Sequence, residues 1–248
     1  MKSINSLLLL GVLGGLLLSG CASLIPTENM QENSSEQQAK VLLTAVQIKA
    51  QSLQALPNLY KEQGDELKSR LSTETLNQFQ AGLALKEQGK YPQARELFIS
   101  MSEKNPNLSG IWLQLALVTK QRGKQTASDK EQSYKDAAIY LNNAILANPL
   151  NYLAHNELGK VLRQQGRFQQ ALSHYELALK SWPAFAQGYL NRGILYDLYI
   201  GKKSLALADY QLYKALSNDS SRQLKGWIID LQRQIKKAQQ VTQTGAML

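Results

Sequence analysis

Apolar residues along this chain recur at intervals of three and four. Ala39, Leu42, Leu43, Val46, Ala50 and Leu53 share one face of a helix expected over 38–56, and Pro57 ends it. Residues 58–71 are more polar and predict a further short helix with loops. From 75 to 219 the helical period returns in paired segments, each pair closed by a turn signal. Leu224, Trp227, Ile228, Leu231 and Ile235 form a last stripe, which predicts a closing helix over 221–238 and a loose end, Gln239–Leu248. The period throughout is that of helices, so the fold class is all-α.

The paired segments repeat their punctuation. In 152–185, Leu158-Gly159 and Leu162 lie in a first helix, and Gly166 makes a turn. Phe168, Ala171, Tyr175 and Ala178 follow in a second helix, and Pro183 starts the exit. Segment 75–108 places Gly82, Leu85, Gly89-Lys90-Tyr91, Ala94, Phe98 and Pro106 in the same order. Segment 109–151 has Trp112, Leu115, Ala116, Tyr134, Ala137, Leu141, Ala144 and Pro149, with an excess of about nine residues in Gly123–Ser133. That excess is polar and reads as a loop or an extended helix end. Segment 186–219 has Tyr189, Gly193, Tyr196, Gly201, Ala206 and Tyr210, with one extra residue before Gly201 and Asn218 in place of proline.

This pattern resembles the tetratricopeptide repeat, a helix-turn-helix unit of about 34 residues. The resemblance implies a right-handed solenoid of helix pairs with capping helices at both ends. Such units bury their apolar faces only against neighbours. The helix over 38–56 is therefore expected at the far end of the array from the closing helix.

The first 37 residues are different. Lys2 precedes an apolar run from Leu7 to Leu18, broken only by glycines, and Leu18-Ser19-Gly20-Cys21 closes it. The run is shorter than the ~18 consecutive apolar residues of a membrane-spanning helix. It reads as an export signal, 1–20, outside the fold. Its end resembles the lipobox of bacterial lipoproteins, which implies cleavage before Cys21 and a covalent lipid on that cysteine. Ala22 stands where an Asp would hold such a protein at the inner membrane, so the resemblance implies an outer-membrane anchor facing the periplasm. Residues 21–37 are polar, carry Pro26 and read as a tether. The remaining divisions are N-terminal helices, 38–74, the repeats, 75–219, and the closing helix and tail, 220–248.

Composition adds two points. Cys21 is the only cysteine, and a lone thiol in an oxidising compartment is safe when capped by lipid. The net charge is +9, and export excludes most nucleic-acid partners. On the closing helix Arg222, Lys225, Arg233, Lys236 and Lys237 outnumber Asp230. They read as a solvated face or as a contact for anionic lipid or the wall.

No catalytic motif is present. The sequence lacks a GxSxG elbow, a phosphate loop and HExxH. His155 and His174 have no ligand-type neighbours at metal spacing and read as structural. No enzyme activity, no metal and no cofactor other than the lipid on Cys21 are expected.

The family lines a concave groove with positions 2, 5, 9, 12 and 13 of each first helix. Carried onto this chain, the groove residues are Leu76, Phe79, Leu83 and Lys86, then Leu113, Leu117 and Lys120. Asn156, Lys160 and Arg163 follow, and then Leu190 and Ile194. The apolar members invite cover by a partner or by the N-terminal helix. Lys86, Lys120 and Arg163 recur at position 12, a basic line that is either solvated surface or an attraction for an acidic or C-terminal peptide. Phe79, Leu113, Asn156 and Leu190 at position 5 depart from the lysine of the family's chaperone-peptide clamp. The resemblances together imply a lipid-anchored periplasmic scaffold that binds protein. It would be pilotin-like in secretin or pilus assembly, or an adaptor docking peptidoglycan hydrolases. A wall enzyme or a purely structural subunit are weaker readings. Oligomeric state is open.

Overall fold

The computed structural model describes residues 45–68, 71–122 and 127–245. The signal 1–20, Cys21, the tether 21–37 and the first residues of the helix expected over 38–56 lie outside the described residues. No strand occurs among the described residues. Two helices, α1 (residues 45–54) and α2 (Leu59–Lys68), precede the array. The array pairs α3 (Thr73–Glu87) with α4 (Tyr91–Lys104) and α5 (Ser109–Arg122) with α6 (Ala127–Ala147). It continues with α7 (Tyr152–Gln164) and α8 (Phe168–Ser181), then α9 (Ala186–Leu195) and α10 (Lys203–Ser217). Helix α11 (Arg222–Gly245) closes it. None of the described helices is long and apolar enough to cross a membrane.

From α3 to α11 each helix packs on its neighbours in sequence, and α3 also meets α5 as α7 meets α9. The first helices therefore form the inner row of a helical-repeat solenoid. The core is strung along the array as four clusters. This is the packing expected of units that cannot bury an apolar face alone.

Small residues at position 8 let the helices of a pair approach. A Cβ on Gly82 would sit 2.6 Å from the Phe98 ring, and one on Gly159 2.6 Å from the Tyr175 ring. Gly193 stands in the same relation to Tyr210 at 2.8 Å. Position 4 ties each pair to the one before. Trp112 Nε1 donates to Pro106 O at 2.7 Å, and the Tyr189 hydroxyl to Pro183 O at 3.0 Å. His155 Nε2 stands 3.0 Å from Pro149 O in the same role, so this nitrogen carries the proton.

Gly89 and Gly166 make the turns within their pairs at φ +73° and +74°, a region that favours glycine. The following amide bonds back five residues, Lys90 N to Leu85 O and Arg167 N to Leu162 O. In the fourth pair the extra residue before Gly201 is taken up by a π-helical turn, Tyr196–Ile200. Lys202 N there reaches back six residues to Tyr196 O. Asn218, in proline's place, ends α10 in the left-handed conformation at φ 55°. The polar excess in the second pair is helical from 127 onward, and residues 123–126 lie outside the described residues.

Two expectations need correction. Helix α1 does not cap the first repeat. Ala50 is buried, and Val46 and Leu53 pack on Leu179, Phe185, Tyr189 and Leu212 of the third and fourth repeats. Those residues offer a large apolar cluster where the helix rows leave it open. The closing helix also runs to Gly245, with no loose stretch at 239. Its polar end contains neither Gly nor Pro before Gly245 to stop it.

Candidate groove on the inner helix row

The inner row brings most of the expected groove residues to one surface, but it commits several to the fold. Leu76, Phe79 and Leu83 are half-buried. Phe79 meets Phe98 edge-on at 5.9 Å. Leu113 is only 3% exposed and belongs to the core with Ala154 and Leu158, so it is not on offer to a partner. Leu117 is half-buried beside it, and Leu190 and Ile194 pack partly on the fourth-repeat cluster. Asn156 is buried and accepts a 2.9 Å hydrogen bond from Asn191 on the next inner helix.

The basic line is partly satisfied from within. Lys86 Nζ donates to Gln114 Oε1 at 2.6 Å, a neutral partner that leaves its charge unbalanced. Lys120 Nζ meets Glu157 Oε2 at 2.6 Å, and Lys160 Nζ meets Glu157 Oε1 at 2.7 Å. Burial pushes the Glu157 carboxyl up, but the two ammonium groups outweigh it and hold its pKa below the ordinary value. Arg163 lies over the Tyr199 ring at 5.9 Å, and its Nη1 is buried without a hydrogen-bond partner. The line Lys86, Lys120, Lys160 and Arg163 thus sets four cations against Glu157, with Glu87 exposed at its end.

Residues outside the expected set shape the groove as much. Tyr60 of α2 lies over the amino-terminal end of the inner row. Its hydroxyl is 3.9 Å from where a Cβ on Gly110 would sit, and it accepts from Asn151 Nδ2 at 3.3 Å. Asn151 is fully buried. It also donates to Ser109 Oγ at 2.7 Å and accepts from Ala154 N at 3.0 Å, which caps α7. Ser109 in turn donates to Ala144 O at 2.6 Å. Helices α1 and α2 therefore cover this edge, and the cations Lys86, Lys120, Lys160 and Arg163 lie on the carboxyl-terminal halves of the inner helices. Glu157 had a local signal in its spacing of three from Lys160.

His155 and His174 face each other, Nδ1 to Nδ1, at 3.0 Å. Since His155 Nε2 holds its proton, His174 Nδ1–H donates to His155 Nδ1. Burial lowers both pKa values. That of His174 falls to about 4, helped by His155 and Arg167. No group of three His, Cys, Asp or Glu among the described residues could hold a metal.

A stack of helix pairs with small residues at position 8 and aromatic partners opposite defines a tetratricopeptide-type solenoid. The tetratricopeptide repeat model matches residues 126–186 and 157–220, so this stretch carries tetratricopeptide repeats. The fold is similar to that of PilF of Pseudomonas aeruginosa, at TM-score 0.56 and 19% identity over 66% of this chain and 69% of that one. It is similar to a MamA protein at TM-score 0.51 and 18% identity, over 70% of this chain and 94% of MamA. MamA from Desulfovibrio magneticus RS-1 gives 0.51 and 14%, over 70% and 97%. At these identities the likeness is one of fold. No curated protein matches the chain in sequence.

Proposed function

We propose that the chain is an exported scaffold held by a lipid on Cys21 at the periplasmic face of the outer membrane. Along the open half of the inner helix row it binds an acidic segment of a protein partner. The role is pilotin-like, assisting assembly of an envelope complex of the secretin or pilus type, and not catalytic. Solenoids of this kind use their concave face for partners. The observation that carries the reading is the charge of that face, where Glu157 pairs with Lys120 and Lys160 and leaves Lys86 and Arg163 without a carboxylate partner among the described residues. Such a surface favours charge-assisted hydrogen bonds to carboxylates. The lipobox-like Leu18–Cys21 and the absence of any other cysteine support the anchor.

Lys86→Glu with Arg163→Glu leaves the Glu157 pairs in place and tests the groove. The double variant keeps its helical circular dichroism and loses the proteins that co-isolate with the parent from envelopes. An unchanged set of co-isolated proteins defeats the groove reading. Cys21→Ala tests the anchor separately: it abolishes incorporation of labelled fatty acid and removes the chain from the outer-membrane fraction.

A further inference from the structure

Helix α11 keeps the register of the first helix of a repeat. In the second and third repeats, positions 3, 7 and 10 are Ile111, Leu115 and Val118, then Ala154, Leu158 and Val161, all buried against the preceding pair. Leu224, Ile228 and Leu231 hold the same spacing on α11 and are buried against α10. Position 8 follows from that register. It is Gly82, Ala116, Gly159 and Gly193 in the repeats, and each of the three glycines admits the aromatic ring of the pair's own second helix. On α11 it is Ile229, 46% exposed.

A branched residue at this position keeps another helix from packing as closely as in the four repeats. The surface around Ile229 is basic. Arg222, Lys225, Arg233 and Lys236 recur with it at intervals of three or four, all exposed, and so lie on one face. None has an ion-pair partner among the described residues. The only acid of α11, Asp230, lies about 100° round the helix and accepts from Gln234 Nε2 at 2.6 Å. The cap thus presents an exposed aliphatic side chain among four unbalanced cations.

The start of the described chain lies at the same end of the array. Val46, in the first described turn of α1, packs on the cluster of the third and fourth repeats. A lipid on Cys21, 24 residues before residue 45, would hold that end near the membrane.

We propose that the Ile229 face of α11 docks on an anionic bilayer surface, with the four cations at the headgroups and Ile229 among them. The docking rests on the lipid anchor proposed above. It would turn the α11 face of the described solenoid to the membrane and leave the inner row accessible from the side. Cations near a charged bilayer act additively and are screened by salt.

The processed full-length chain tests this in vesicles, with Ile229→Cys carrying an environment-sensitive nitrobenzoxadiazole label. A control chain carries the label at Ile139→Cys on α6. A lipidated Cys21 takes no label, so the introduced thiol is the only target. In phosphatidylethanolamine vesicles containing phosphatidylglycerol, emission from 229 shifts to shorter wavelength and emission from 139 does not. The shift disappears in phosphatidylcholine, in high salt, and in Arg222→Glu/Lys225→Glu/Lys236→Glu. These substitutions are exposed and leave the buried stripe alone, which circular dichroism checks. A chain that floats with the vesicles but gives no shift at 229 overturns the docking and leaves the anchor standing. A shift obtained on isolated peptidoglycan but not on vesicles assigns the face to the wall and also overturns it. A chain that takes label at Cys21 and does not float overturns the anchor, and the docking with it.

Discussion

One carboxylate, Glu157, balances two of the four groove cations. Glu157→Gln keeps the shape and removes the charge. The Lys120–Glu157 pair is nearly enclosed, with side chains 16% and 14% exposed, whereas Lys160 is 36% exposed. An enclosed charge-assisted bond contributes about 1.5–3 kcal/mol, and a solvent-screened pair about 0–1. The variant should therefore lose about 2–3 kcal/mol, mostly through Lys120. Urea unfolding at pH 7 reads this as a lower midpoint with an unchanged slope. The folded-state pKa of Glu157 is depressed, so its contribution is present above the unfolded value of 4.5 and is lost as pH falls through the folded one. The parent and variant should differ by a constant amount from pH 7 down to about 5 and converge below. A midpoint unmoved at pH 7, or a difference that persists undiminished in acid, refutes the shared-carboxylate account. The same variant leaves the groove more positive, so it should bind an acidic partner at least as tightly as the parent.

Three further outcomes follow from the core. Gly159→Ala places a methyl 2.6 Å from a fully buried Tyr175 ring; overpacking of about 1–3 kcal/mol should exceed the helix-propensity gain of up to ~1, and a stabilised variant in urea contradicts the packing. Tyr175→Phe removes a buried hydroxyl without a hydrogen-bond partner, so it should be neutral or stabilising by up to about 1 kcal/mol, and a clear loss in thermal unfolding would show that the hydroxyl is satisfied. His174 is neutral in the fold, with a pKa of about 4 against 6.5 unfolded; its contribution is complete above 6.5 and lost as pH falls toward 4. After solvent screening that is about 2 kcal/mol, and His174→Gln should flatten the parent's decline in stability over this window.

Repeat spacing was legible because the packing that creates it is local. Gly82, Gly159 and Gly193 each answer to an aromatic residue on the next helix, so residue type and interval encode the contact. The extra residue before Gly201 was visible as an insertion, but its absorption into a π-turn was not, since backbone hydrogen bonding leaves no mark in composition. The nine-residue excess is mostly polar and hides its helical part because an exposed helix needs no apolar stripe. The pairing of Lys120 with Glu157 spans 37 residues, and nothing local ties them. For the same reason the stripe on α1 announced a buried face without naming its partner. Leu179, Tyr189 and Leu212 come together only after the repeats stack. The placement of the candidate groove residues on the inner helices was readable, but which side chains the fold keeps for itself, Leu113 and Asn156 above all, was not.

Site-specific photocrosslinking in living cells measures the central claim, that the open half of the inner row holds a protein partner. A benzophenone amino acid replaces Lys86 or Leu117 in the groove, and Ile139 or Leu146 on the outer helix α6, where exposure is 59% and 80%. One shared crosslinked protein is expected from both groove positions, lost in the Arg163→Glu background, and none from α6. The same protein captured from Ile139 and Leu146, with the groove positions silent, would contradict the claim.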